Sequence, residues 1–226
     1  MSDEKLSLRI DMPLEQLEDV IHTSINGDFS GYNQIVSPRD LNEVRGMTFF
    51  REDVFQSLIR QIPLRGYPDC KPYEKAKIRV LAADPRGIKV GQNFLLERKI
   101  LSILHNLQHR IFDAFVVGGI SKMPPAQLYG LDNQGRKALA FYIPPFYEIH
   151  GEKIVVLDGI HRSKICGGAG TTINAIHLSG VAYPLPFDPL SWKEIRLTDE
   201  KPPIKQRYKN LREDLFRDLG AVGIDG

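Results

Sequence analysis

The run Val155 to Gly170, VVLDGIHRSKICGGAG, constrains the fold more than any other stretch of the chain. An apolar strand ends in Asp158-Gly159, a pair suited to a tight turn, and His161, Arg162 and Ser163 follow at once. The glycines from Gly167 to Gly170 read as the C-terminal cap of a short helix rather than as a phosphate loop, and Thr171 to Leu178 reads as a second strand. The pattern therefore predicts strand, turn, helix, strand. It sets cationic side chains beside the unpaired N–H groups of a helical first turn, an arrangement that holds anions.

Around this run the chain has 226 residues, 42% hydrophobic and 26% charged, enough for one large core with decorations. A net charge of +2 and a pI near 8.5 supply no global field toward nucleic acid or anionic lipid. Two cysteines, Cys70 and Cys166, build no disulfide framework and form no CxxC pair. The first residues are polar and acidic, and no stretch approaches the roughly 18 apolar residues of a membrane span. A cytoplasmic protein with no membrane partner is expected.

Periodicity divides the rest. Residues 1–70 read as a helical N-terminal extension, with amphipathic spacing over Pro13 to Ile25 and Arg51 to Ile62. Residues 71–185 form the core, in which Ala76 to Ala83 is a strand, Asp84 to Gly87 a turn, and Phe94 to Ile111 a helix with a strong apolar stripe. A turn-rich insertion at about 112–138 carries at most a short strand at Phe115 to Val117. A hairpin of Phe146 to Ile149 and Lys153 to Leu157, turning at His150-Gly151, feeds the Asp-Gly turn. Residues 186–226 begin as extended, proline-interrupted chain and end in a helix over Lys205 to Leu219. The fold class is α/β, of the α+β kind.

At the turn, Asp158 is expected to cap the helix, and Gly159 to let a ligand approach the backbone. Arg162 would give a forked contact to phosphate, while His161 and Ser163 add donors, His161 also serving as an acid or base. The plainer reading of the same residues is a capped helix with Arg162 paired to a nearby carboxylate and His161 at the core edge. His105 and His109 have the spacing of a helical zinc motif, but Asn106 stands where that chemistry needs glutamate, so a solvated helix face is expected.

The segment from Tyr142 to Leu178, with the strand, turn and helix over 77–107, resembles the ParB/sulfiredoxin-like superfamily, covering roughly half the chain. The resemblance implies a nucleotide (ATP, ADP or CTP) with its phosphates at Asp158 to Ser163, Mg²⁺ beside a carboxylate such as Asp84, and Arg86, Lys89 and Gln92 of the first turn lining the other side, Lys89 less so than Arg86. Sulfiredoxins carry a cysteine immediately before the His-Arg pair, where this chain has Ile160. Partition proteins carry a glutamate and two arginines in the turn and a helical DNA-binding domain behind it, against one clear helix here. The DGxHR spelling is closest to the free serine kinase-like members, which phosphorylate a small molecule with a glutamate as base after the first strand. This chain offers Asp84 and Glu97 instead. The resemblance thus implies a nucleotide-binding protein, with Asp84, Glu97 and His161 as catalytic candidates for phosphoryl transfer or nucleotide hydrolysis. The alternative is a DNA-associated ParB-like module, since one group spells its motif DGQHR, and a fold of this kind hosts several functions.

Overall fold

The strands, in chain order, are β1 (Leu41–Phe49), β2 (Lys77–Ala83), β3 (Lys89–Val90), β4 (Phe94–Leu96), β5 (Ala126–Asp132), β6 (Lys137–Tyr142), β7 (Phe146–His150), β8 (Lys153–Asp158), β9 (Ile173–Ser179) and β10 (Arg196–Thr198). The helices are α1 (Glu52–Arg60), α2 (Glu97–Ser102), α3 (Ile160–Gly168) and α4 (Ile204–Arg207). This computed structural model describes residues 32, 34–104 and 121–222. Helices and sheets are mixed, as the α/β expectation requires.

The predicted hairpin and closing strand build the larger sheet, in the order β2-β9-β7-β8-β3. Pair β7–β8 is antiparallel, whereas β9 runs parallel to β7 because α3 carries the chain back across the sheet. Alternation gives the sheet two apolar faces. Ile78, Phe146, Ile176 and Leu178 pack on Phe55, Leu58 and Ile59 of α1. Tyr147, Val156, Ile173 and Ala175 share a cluster with Ile160 and Cys166 of α3. The glycines after α3 form the expected stop. Thr171 N–H bonds to the Cys166 carbonyl at 2.9 Å and Gly170 N–H to the Gly167 carbonyl at 3.2 Å, with Gly170 left-handed at φ +69, the hydrogen-bond pattern of a Schellman cap.

Three regions depart from expectation. Residues 41–49, within the stretch read as a helical extension, form β1, which pairs antiparallel with β5 in a second sheet of order β1-β5-β6. Two register shifts, at Leu41/Glu43 and Val44/Gly46, break its alternation, and the Tyr129 ring lies where a side chain at Gly46 would stand. Strand β5 and the first residues of β6 arise from the end of the stretch read as turn-rich insertion, and the rest of β6 follows it. Their hairpin closes on Asp132, whose carboxylate accepts from the Gln134 and Arg136 N–H groups at 2.8 Å each.

The helix expected from Phe94 begins only at Glu97. Residues 94–96 are buried and pair as β4 with β10, while the part beyond residue 104 lies outside the described residues, as do the expected helix Pro13 to Ile25, the strand at 115–117 and the His105/His109 pair. The C-terminal helix expected over Lys205 to Leu219 is also not formed. After the four residues of α4 the chain turns extended at Tyr208, and Asn210 adopts φ 52.

Tertiary contacts explain that last departure. Glu148, on the central strand β7, is fully buried, and Arg217 reaches it with Nε at 2.7 Å and Nη2 at 2.9 Å. Arg217 also donates to the carbonyls of Pro184, Leu215 and Tyr183, so its whole fork is consumed. Tyr208 stacks on Phe187 at 5.1 Å, and Phe216 packs edge-on to both rings. A continuous helix would forfeit these contacts, which outweigh its modest intrinsic propensity. No helix among the described residues is long and apolar enough to cross a membrane.

Removing one partner of a buried, hydrogen-bonded ion pair strands the other charge. Arg217→Ala is therefore expected to cost about 3–5 kcal/mol in urea denaturation. A loss of under about 1 kcal/mol would show that the pair does not anchor the C-terminal segment.

Candidate functional site

Strand β8 delivers Asp158 to the head of α3, and Gly159 makes the corner. Its φ of +79 is left-handed, and an added Cβ would stand 2.7 Å from Pro145 Cβ. The close approach that Gly159 permits is thus to Pro145 of the strand connection. Gly159 itself is the N-cap, and the helix has no side-chain cap, so Asp158 does not fill the capping role expected of it.

Asp158 instead faces Arg162 one turn on, with Oδ2 at 3.3 Å from Nη2. The guanidinium also donates from Nη1 to the Ile143 carbonyl and lies 5.3 Å from the centroid of the Tyr142 ring. Only 14% of the Arg162 side chain and 21% of the Asp158 side chain are exposed. Among the described contacts, the pairing of Arg162 with a nearby carboxylate is what the plainer reading of the motif proposed.

His161 is buried, and its Nε2 accepts the Leu96 N–H at 2.9 Å. That nitrogen is thereby unprotonated and committed to holding the β4–α2 junction. Ser163 is fully buried, donating to the Gly159 carbonyl at 3.0 Å and sharing a 2.9 Å hydrogen bond with the Tyr147 hydroxyl. Burial pushes the Tyr147 hydroxyl up to about 12, the Ser163 contact partly offsetting it. Burial also pushes the Cys166 thiol up, away from the thiolate that nucleophilic chemistry requires.

The first-turn candidates lie elsewhere on α3. A side chain at Gly167 would meet Pro85 Cγ at 3.3 Å and Arg86 Cγ at 3.6 Å, so the 84–87 turn packs on the C-terminal end of the helix. Arg162 is five residues earlier, about 7 Å along the axis. Asp84 caps its own turn through the Arg86 N–H at 3.0 Å and pairs with the Arg86 guanidinium at 2.7 Å. Arg86 holds the Asp84 carboxyl down at about 2. Lys89 is exposed, and Gln92 donates to the Phe94 carbonyl. Glu97 is exposed at the start of α2, one residue past the Leu96 that His161 holds, which sets it nearer the head of α3 than Asp84 is. Structure thus brings together Asp158, Gly159, His161, Arg162 and Ser163 and leaves the Asp84–Arg86 pair at the other end.

Two features went unseen in the sequence. One is the Tyr73–Glu148–His150–Arg217 cluster, in which Glu148 takes the Tyr73 hydroxyl on Oε1 and meets His150 Nε2 at 2.7 Å from Oε2. The other is His177 on β9, whose buried Nε2 has no hydrogen-bond partner. A polar residue in the apolar alternation of INAIHLS was the available signal for it. Among the described residues, no group of three or more His, Cys, Asp or Glu is placed to hold a metal ion. No protein-family model, curated protein or solved structure matches the chain.

Gly159→Ala forces a left-handed alanine against Pro145, and a loss of roughly 2–5 kcal/mol is expected by urea denaturation; an unchanged midpoint would mean the corner relaxes freely. Burial holds the His177 imidazole below its ordinary 6.5. As pH falls, the unfolded chain takes up this proton before the folded one does. Its contribution to stability is complete above about pH 6.5 and declines as pH drops toward the folded value. His177→Phe is expected to flatten the stability profile between pH 7 and 5, and parallel profiles for the two proteins would refute this.

Proposed function

We propose that the protein is a ParB/sulfiredoxin-like nucleotide-binding protein whose phosphate contact is Arg162 at the head of α3. The observation that carries the reading is the unit β8–Gly159–α3–β9, with a left-handed glycine corner and an always-charged fork in the first helical turn. The guanidinium faces the one carboxylate of the turn beside helix N–H groups that no side chain caps, and a phosphate would take the place of that carboxylate.

Phosphate must displace Asp158 from Arg162. The existing contact is long at 3.3 Å, so a multiply charged phosphate chain competes with it favourably. Mg²⁺ accompanying the nucleotide would take Asp158 as its protein ligand, a single carboxylate beside phosphate oxygens being the usual donor set for this ion. Asp84, expected in that role, is engaged by Arg86.

The proposal is for binding. His161 has its Nε2 bound to Leu96 N–H and so is a positioning residue. Of the two carboxylates considered for base catalysis, Glu97 is better situated than Asp84, and phosphoryl transfer or hydrolysis, if present, would pass through it.

Thermal-shift titration with ATP, ADP and CTP, with and without Mg²⁺, tests the reading. Stabilisation of the wild-type protein is expected, lost in Arg162→Ala. Asp158→Asn is expected to bind more tightly than wild type without Mg²⁺ and to lose the Mg²⁺ enhancement. A wild-type protein indifferent to all three nucleotides would sink the proposal, and salt-dependent retention on DNA in that case would favour the DNA-associated alternative.

A further inference from the structure

The edges of the sheets are treated unequally. Val90 of β3 exchanges both hydrogen bonds with Leu190, and β6 is covered by residues 34–36, with Val36 N–H on the Leu139 carbonyl and Leu139 N–H on that of Gln34. Strand β1 carries two register shifts and exposed Glu43 and Arg45, while β4 and β10 have only three residues each. Coverage, bulges, charge and shortness are the ordinary means of keeping an edge from pairing with another chain. Strand β2 is the edge of the five-stranded sheet, is seven residues long and pairs with β9 in unbroken register.

The phase of the ladder tells which of its backbone groups face outward. Ile176 N–H bonds to the Pro145 carbonyl at 2.8 Å, so Ile176 is turned toward β7 and its neighbours Ala175 and His177 toward β2. They pair there with Leu81 and Arg79, which leaves Ile78, Val80 and Ala82 directed away from the sheet. Helix α1 caps the first half of this edge, Gln56 Nε2 reaching the Ile78 carbonyl at 3.4 Å and Arg60 Nη1 the Ala76 carbonyl at 3.0 Å. Among the described residues nothing hydrogen-bonds the outward N–H and C=O groups of Val80 and Ala82. Beside them Leu81 is 46% exposed, and Ala82 is exposed as well.

We propose that this bare half-edge pairs with the same half-edge of a second copy of the chain, antiparallel about a two-fold axis through Leu81. The free groups select both partner and register. Val80 of each copy then faces Ala82 of the other, and four interchain hydrogen bonds satisfy every outward group of these residues. An axis at Val80 would need the Ile78 carbonyl, which Gln56 holds, and an axis at Ala82 would set Val80 against Asp84, beyond the end of the strand. About Leu81 the two leucine side chains meet directly, while Arg79 faces Ala83 and Lys77 faces Pro85, so like charges stay apart. A patch that complements itself is the mark of a two-fold interface rather than of an unrelated peptide. The two main sheets become one of ten strands.

Sedimentation velocity of the full chain between about 1 and 200 μM tests this, because an interface of one short strand lies at the weak end of the range. Wild type is expected to pass from monomer to dimer. Ala82→Pro removes an N–H that faces outward in the monomer, where an edge tolerates proline, and is expected to weaken the dimer at least about tenfold. Leu81→Lys, which sets like charges across the axis, should do the same and covers a proline variant that folds poorly. In a Cys70→Ser background, which removes the partly exposed native thiol, Leu81→Cys is expected to cross-link two copies under mild oxidation and Arg79→Cys is not. A chain that stays monomeric throughout, a dimer that survives both substitutions, or cross-linking as ready at 79 as at 81 overturns the proposal.

Discussion

A carboxylate at the centre of the main sheet sets the terms for the rest of the molecule. Glu148 is fully buried on β7, the middle strand of five, and an isolated charge there would be prohibitively costly. It is tolerated because both oxygens are saturated by Arg217, Tyr73 and His150. Two of these partners come from outside the sheet, Tyr73 from the loop before β2 and Arg217 from near the C-terminal end of the described chain. The sheet therefore cannot be completed without that distant segment. Such pairs are weak sources of net stability but strong selectors of one arrangement over others.

Once Arg217 is fixed, the preceding chain is constrained as well. Tyr208 and Phe216 lie on Phe187, and the Phe187 ring occupies the space over Gly91 that a side chain would take. Asn93 N–H bonds to the Arg207 carbonyl at 2.8 Å, so the turn leaving β3 is held by the same segment. That turn leads into Leu96, whose N–H is the partner of His161. A chain of contacts thus runs from the buried ion pair on one face of the sheet to the head of α3 on the other. The candidate site is held from both sides.

How much of this was legible follows from how local each signal is. The hairpin, the Asp158-Gly159 corner, α3 and its glycine stop are written in contiguous residues, and each formed where the pattern placed it. Strand β1 carries two register irregularities and an interior glycine, and its partner lies some eighty residues on, so period-two alternation could not reveal it. Tyr208, Leu211, Leu215, Phe216 and Leu219 do have helical spacing, yet the aromatic stack and Arg217 draw the segment into extended chain. The Glu148–Arg217 pair spans 69 residues and leaves no local trace. Within the site, residue identity was readable, but which partner each side chain would choose was not. Asp84 and Arg86 satisfied one another, and His161 turned to the backbone.

The spelling of the turn has a consequence of its own. A carboxylate ending a strand and an arginine one helical turn later are always within reach of each other, so a DGxHR corner neutralises itself when nothing else is bound. An anion taking Arg162 competes with a carboxylate held at high effective concentration, and a monovalent anion offers no gain over it. A polyphosphate brings more charge and more acceptor oxygens than the carboxylate it displaces, and it can engage helix N–H groups that Asp158 does not cap. On the proposed reading, the internal pair would therefore act as a threshold that filters ligands by charge. It leaves the turn nearly neutral in isolation, and on the proposed reading it would reserve the guanidinium for ligands with several phosphates.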